Sequence, residues 1–184
     1  MLHNKYRHKL SAFVGATFLF LLSFHSTALA QNQEVIGTAT AELIEVLAAT
    51  EVSPLAFGRF FIEGEGTSGS LIVDPLPAVK RTAIGNAIHP VDGGTVSPAI
   101  YEIRGYPEST LVITLPTTIQ ITHISNPSFY MTVNQWAVSP SVSPKLDVDG
   151  KLTLFLGASL HAQTLTNNPA GVYNGTYSLV LSYN

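Results

Sequence analysis

The chain contains no cysteine. Disulfides, thiolate chemistry and zinc sites built on cysteine sulfur are thereby excluded, and stability has to come from burial and backbone pairing. Charge is scarce too. Asp, Glu, Lys and Arg make up 11% of the residues, against about 25% in an average soluble domain. Of nine bases, Lys5, Arg7 and Lys9 stand in the first nine residues, leaving six against twelve acids. No basic cluster remains after them, so nucleic acid and anionic membrane surfaces are disfavoured as partners. Nor is there an apolar run of the roughly 20 residues that a bilayer span requires. Stable membrane insertion is therefore not expected.

What is present begins with an address. A basic start is followed by the apolar stretch from Ala12 to Phe24 and then by Thr27-Ala28-Leu29-Ala30, with small residues at the −3 and −1 positions. This order is that of a cleavable secretory signal peptide. It predicts residues 1–30 as signal and 31–184 as one exported domain, placed in the periplasm, at the cell surface or outside the cell. The 154 residues left after cleavage suffice for a single core.

The mature part is rich in Val, Ile, Thr, Leu, Gly and Pro, a strand-and-turn composition. Strands are predicted at 70–73, 99–104, 110–115, 118–122, 128–133, 151–156 and 175–183. Asp92-Gly93-Gly94, Asp149-Gly150 and Asn167-Asn168-Pro169 are read as turns between them. Many short strands with such punctuation predict an all-β fold, a sandwich in preference to a barrel. The segment 41–49 has helix formers at helical spacing, yet Val35, Gly37, Ala39, Ala41 and Leu43 alternate as a strand would. Extended structure is favoured there.

Catalytic patterns fail on context. Gly64-Glu65-Gly66-Thr67-Ser68-Gly69 matches G-x-G-x-x-G, but it leads into Leu71-Ile72-Val73 and Pro75 where a helix is needed. It is read as a hairpin loop. Asp147-Val148-Asp149-Gly150 starts like a calcium loop and lacks the later oxygens and closing glutamate. His89, His123 and His161 have no metal-ligand spacing, and no serine lies in a nucleophile elbow. Neither cofactor nor metal is expected, and the protein is read as a non-enzyme. Trp136, near Phe129, Tyr130 and Met131, is read as core packing in preference to a sugar-binding face.

Several motifs in order resemble the domain-of-unknown-function family 4402 of Gram-negative exported proteins. They are Leu55-Ala56-Phe57-Gly58, taken as a turn, Tyr101-Glu102-Ile103-Arg104-Gly105, Leu111 to Pro116, Leu146 to Gly150, Leu156 to Leu160, and Ala170 to Tyr183. The resemblance spans about Thr38 to Tyr183. It implies an immunoglobulin-like β-sandwich and no catalytic residues.

In the last stretch Gly171, Tyr173, Gly175, Tyr177, Leu179, Leu181 and Tyr183 occupy alternate positions, giving one nearly apolar face. A penultimate tyrosine with a glycine fourteenth from the end resembles the C-terminal strand of chaperone–usher pilins. That implies an assembly strand beside an edge completed by another polypeptide, a copy of the chain or a periplasmic chaperone. Residues 31–41 form a candidate extended donor strand, its alternating set running from Val35 through Gly37, Ala39 and Ala41 to Leu43. The same patterns also fit a complete sandwich that pairs its own N-terminal strand. Three functions are thus expected in order: a pilus- or fimbria-like surface subunit, a self-complete periplasmic or secreted module binding a glycan or envelope partner, and a hydrolase with a scattered site.

Overall fold

A computed structural model of the chain describes residues 35–64, 68–140 and 144–184. The expected signal peptide lies outside the described residues. The chain divides into two units, one ending at Glu42 and one running from Leu43 to Asn184. Of the first, residues 35–42 are described; they are exposed and belong to no helix or strand. The second carries twelve strands and, among the described residues, no α-helix.

These are β1 (Ala48–Ser53), β2 (Ala56–Ile62), β3 (Gly69–Val73), β4 (Arg81–Ile84), β5 (Ile88–Ser97), β6 (Ala99–Arg104), β7 (Leu111–Thr114), β8 (Thr118–His123), β9 (Asn126–Ser139), β10 (Lys151–Ala162), β11 (Tyr173–Asn174) and β12 (Val180–Tyr183). One large sheet runs β1-β6-β10-β9-β8-β11, with β3 added beside the far half of β10 and β4 beside β3. Two two-stranded ladders, β2-β5 and β7-β12, complete the set. Every pairing is antiparallel. The fold is an all-β sandwich.

Strand β10 explains how the layers stack. Its even-numbered residues Leu154, Leu156, Ala158, Leu160 and Ala162 are all buried, while Lys151 and Thr153 face solvent. Period-two alternation therefore gives the large sheet one apolar face. At one pole that face packs with β7 and β12, where Leu154 and Ile103 meet Leu111, Leu181 and Tyr183. At the other, Leu160, Met131 and Val133 meet Ile62 and Ile88 of β2 and β5, with Phe57 and Phe60 packed alongside. From Leu154 to Leu160 along an extended strand is about 20 Å, so the two clusters lie at opposite ends of the sandwich.

Three expectations need correction. Asp92-Gly93-Gly94 does not end a strand: Gly93 and Gly94, at positive φ, loop out within β5 as its register against β2 slips between Phe57 and Arg59. Such a bulge keeps one strand where punctuation suggests two. Leu55-Ala56-Phe57-Gly58 is likewise no turn, because Ala56 to Gly58 lie within β2. Arg81 donates to the carbonyls of Phe57 at 3.0 Å, Arg59 at 2.9 Å and Val91 at 3.2 Å. It thereby supplies partners that the bulged ladder lacks. Finally, Gly64 to Gly69 does not join a hairpin, since β2 pairs with β5 whereas β3 pairs with β4 and β10. The segment connects different sheets, and its residues 65–67 lie outside those described.

Leu154, fully enclosed between the layers, is the position where truncation should be costly. Leu154→Ala is expected to lower the unfolding free energy by about 2–5 kcal/mol in urea denaturation. Leu43→Ala, at a fully exposed position, should change it by less than about 0.5 kcal/mol.

Candidate strand-acceptor groove

The C-terminal stretch is two ladders and not one strand. Tyr173 and Asn174 pair with His123 and Thr122 of β8, and Val180 to Tyr183 pair with Thr114 to Leu111 of β7. Residues 175–179 between them form no ladder. The partner breaks at the same level, at Leu115-Pro116-Thr117 between β7 and β8. Both segments pass there from the β7-β12 layer to the large sheet, a corner of the kind that closes many sandwiches. Proline stops the ladder on one side, having no N–H to donate. The inward face nonetheless persists across the corner: Tyr173 packs on the groove-end cluster, and Leu179, Leu181 and Tyr183 on the other.

Each predicted residue of this face has a definite seat. Gly171 lies under the His123 ring, where a Cβ would collide with Nε2. The Ser125 N–H donates to His123 Nδ1 at 3.1 Å, leaving Nε2 to donate to the Ala170 carbonyl at 3.3 Å. Tyr173 stands edge-on to the same ring, with centroids 5.0 Å apart, and its hydroxyl donates to the Pro169 carbonyl at 2.8 Å. Gly175 abuts β8, where a Cβ would lie 2.7 Å from the Gln120 carbonyl oxygen. Tyr177 tilts against Trp136 at 4.9 Å, and its hydroxyl lies 2.7 Å from that of Tyr101, which donates to Glu51 at 3.4 Å. The Tyr183 hydroxyl accepts from the Tyr106 N–H at 2.8 Å and donates to the Glu45 carbonyl at 3.0 Å.

Beside this stretch lies a groove of about 780 Å³. Its floor is the inner face of the large sheet: Ile119, Ile121, Met131, Val133 and Leu160. Its two walls are the continuous runs 54–62 and 168–175. A strand seen face-on contributes every second residue to a cavity, whereas one seen edge-on contributes all of them. The first run is the edge of β2 with the two residues before it, and the second is the irregular segment 168–172 followed by the two-residue β11 and Gly175. β2 is paired on its other edge with β5, and β11 on its other edge with β8. The edges that face the groove carry no ladder among the described residues. Asn168, almost fully buried, fixes the second wall by donating to the Tyr130 carbonyl at 2.7 Å.

The candidate donor residues Val35, Gly37, Ala39, Ala41 and Leu43 lie in no strand and are all exposed, Val35 at 82% and Leu43 at 98%. Trp136 packs as a partly buried member of the groove-end cluster. Its indole N–H is closed off from solvent and finds no acceptor among the described residues.

One constellation escapes sequence reading altogether. Ser70 Oγ lies 2.6 Å from His161 Nδ1, and His161 Nε2 lies 2.7 Å from Asn134 Oδ1. Three strands, β3, β10 and β9, bring together residues up to 91 positions apart. The order Ser–His–Asn is that of a nucleophilic relay. Both neighbours of Ser70, β4 and β10, are laddered to it, and His161 is laddered between Ser70 and Thr132. The relay reads as a cross-strand brace on the outer sheet face. His89 gains an acid that its local sequence lacks, Glu63 at 2.8 Å, and stacks on Phe61 at 4.8 Å. No cluster of metal-ligating side chains occurs among the described residues. Asp147 Oδ1, half of the apparent calcium motif, accepts from the N–H groups of Asp149 and Lys151 at 2.9 and 2.8 Å and so caps the turn at Gly150.

An all-β sandwich with an apolar groove between the free edge of β2 and the segment 168–175 is the class these observations define. The family model described as Domain of unknown function (DUF4402) matches residues 47–183, and the chain belongs to that family. No curated protein and no solved structure matches it.

Tyr173 and Tyr177 of the groove, with Tyr101 hydrogen-bonded to the latter, set an alkaline limit. Burial pushes the Tyr177 hydroxyl above its ordinary value, and donation to Tyr101 raises it further. Burial also raises Tyr101 and Tyr173, and the nearby Glu51 charge adds to the effect at Tyr101. Above about pH 10 the unfolded chain loses phenolic protons that the folded chain retains. Stability is thus full below that pH and is lost as pH rises through the folded values. Urea midpoints should fall above about pH 10, and Tyr177→Phe should make the fall shallower.

Proposed function

We propose that the chain is a non-catalytic structural subunit of a pilus- or fimbria-like surface assembly, exported past the inner membrane. Its groove is completed by a β-strand from another polypeptide, either a copy of itself or a periplasmic chaperone. The observation that carries this reading is the unladdered edge of β2 beside an apolar floor. Water can satisfy the edge N–H and carbonyl groups, but it leaves Ile119, Ile121 and Phe57 without apolar neighbours on that side. An inserted strand answers both needs at once, which is the logic of β-augmentation. Burying one valine and one leucine side chain would add roughly 1.5–3 kcal/mol each. The pattern of the C-terminal stretch, Gly171 through Tyr183, supports the same reading.

A second reading, a self-complete module that holds a glycan or envelope partner in the groove, draws on the aromatic rim of Phe61, Tyr173 and Tyr177. It expects a monomer that refolds alone and loses glycan binding on Phe61→Ala, a half-exposed residue of that rim.

Assembly is the discriminating measurement. The chain from Gln31 onward is expected to give SDS-resistant ladders on unboiled gels, and Ile121→Lys in the groove floor should abolish them while circular dichroism stays β-rich. Intact protein that runs only as a monomer under all conditions would refute the subunit reading.

A further inference from the structure

The outer face of the large sheet carries a hydroxyl whose proton already has an acceptor. Ser70, His161 and Thr132 lie in one cross-strand row, with Ile84 beside Ser70 and Gln120 beside Thr132. Alternation sends these side chains away from the core, into which their chain neighbours Leu71, Leu160 and Val133 are buried. Asn134 stands two residues along β9 from Thr132, on a diagonal that longer side chains still span. The geometry fixes the direction of each hydrogen bond. Asn134 Oδ1 can only accept, so His161 Nε2 carries the ring proton and donates it at 2.7 Å. Nδ1 is left with its lone pair, and the Ser70 hydroxyl donates to it at 2.6 Å. Direct proton transfer to a base needs a contact of this length. Ile84 and Gln120, near the two ends of the row, are exposed, while Ser70 and His161 are partly buried. A small reactant can therefore approach Ser70 Oγ from above the sheet. The row holds no Asp, Glu, Lys or Arg, and Ile84 adds an apolar contact. A neutral acyl group suits it better than a phosphoryl anion, which needs cationic partners.

We propose that Ser70 is an acyl-acceptor site, taking a small neutral acyl group from an ester whose leaving group is a weaker base than an alkoxide. Ser70 Oγ attacks the carbonyl carbon of the donor as its proton passes to His161 Nδ1. The bond from that carbon to the leaving oxygen breaks, and the departing oxygen takes the proton back from the imidazolium. One ester bond forms on Ser70 and one in the donor is broken, with no further reactant. Asn134 is a positioning residue, holding the imidazole in the tautomer that turns a lone pair towards Ser70. The new ester outlives its donor because the serine alkoxide is the poorer leaving group. The outcome is a modified subunit without turnover. It does not depend on the subunit reading, because the groove lies on the opposite face of the same sheet.

The test uses p-nitrophenyl acetate on the chain from Gln31 onward, with acetylated residues located by peptide mass spectrometry. Ser70 is expected to acetylate at least tenfold faster than Ser128 and Ser182, both exposed. That comparison lies within one molecule, so it holds even where a variant folds poorly. His161→Ala should slow Ser70 at least tenfold and flatten the rise of its rate with pH that a neutral imidazole base imposes. Asn134→Ala should slow it as well, and Asn134→Asp should restore most of the rate, since a carboxylate also accepts from Nε2. Nitrogen-15 shifts of His161 should place the proton on Nε2. Acetylation of Ser70 no faster than that of Ser128 in the intact chain would overturn the inference. An unchanged Ser70 rate in a β-rich His161→Ala variant, or a proton found on Nδ1, would do the same.

Discussion

Backbone N–H and carbonyl groups along a strand need partners on two sides, and β2 has a neighbouring strand on one. The same holds for β11. Between them the inner face of the large sheet is carpeted with Ile119, Ile121, Met131, Val133 and Leu160. Polar demand along the walls and apolar demand on the floor coincide in one place. Solvent meets the first and not the second, and a loose hydrophobic side chain would meet the second and not the first. A β-strand is the chemical object that meets both. Most other features of the molecule hold this place open: Asn168 ties down one wall, Arg81 braces the bulge in the other, and β10 carries the floor.

Strand β10 unites the two poles. Its buried residues run from the Leu111 and Tyr183 cluster to the Ile62 and Ile88 cluster. The second layer is split, with β7-β12 at one pole and β2-β5 at the other. The split is possible because 111–123 and 173–183 change layers together, with proline at the crossing. A sandwich built this way has its ends differently equipped. One end secures the root of the N-terminal segment through Tyr183, and the other presents the groove.

The Ser70–His161–Asn134 relay joins strands through side chains as well as through their ladders. The relay sits on three adjacent strands of the large sheet. In this setting its evident contribution is to join β3, β10 and β9 across the face opposite the core.

The sequence alone determined the fold class and much of its strand content. β6 matches the predicted 99–104, and β3, β7 and β8 fall within a residue of their predicted limits, because alternation and flanking proline or glycine are local signals. It also determined which side of the last stretch faces inward, from Tyr173 to Tyr183. Strands β2 and β5 went unread: Phe57 to Phe61 does not alternate, and the glycine pair in β5 reads as a turn when it is a bulge. Only the tertiary structure decided that the last stretch is two ladders, that Gly171 seats a histidine ring, and that a groove lies between edges more than 100 residues apart in the chain. Alternation fixes which face of a strand is apolar, since that depends on neighbours two residues away. Which edges lie side by side, and which remain unpaired, depends on where distant segments come to rest, and no local pattern records it.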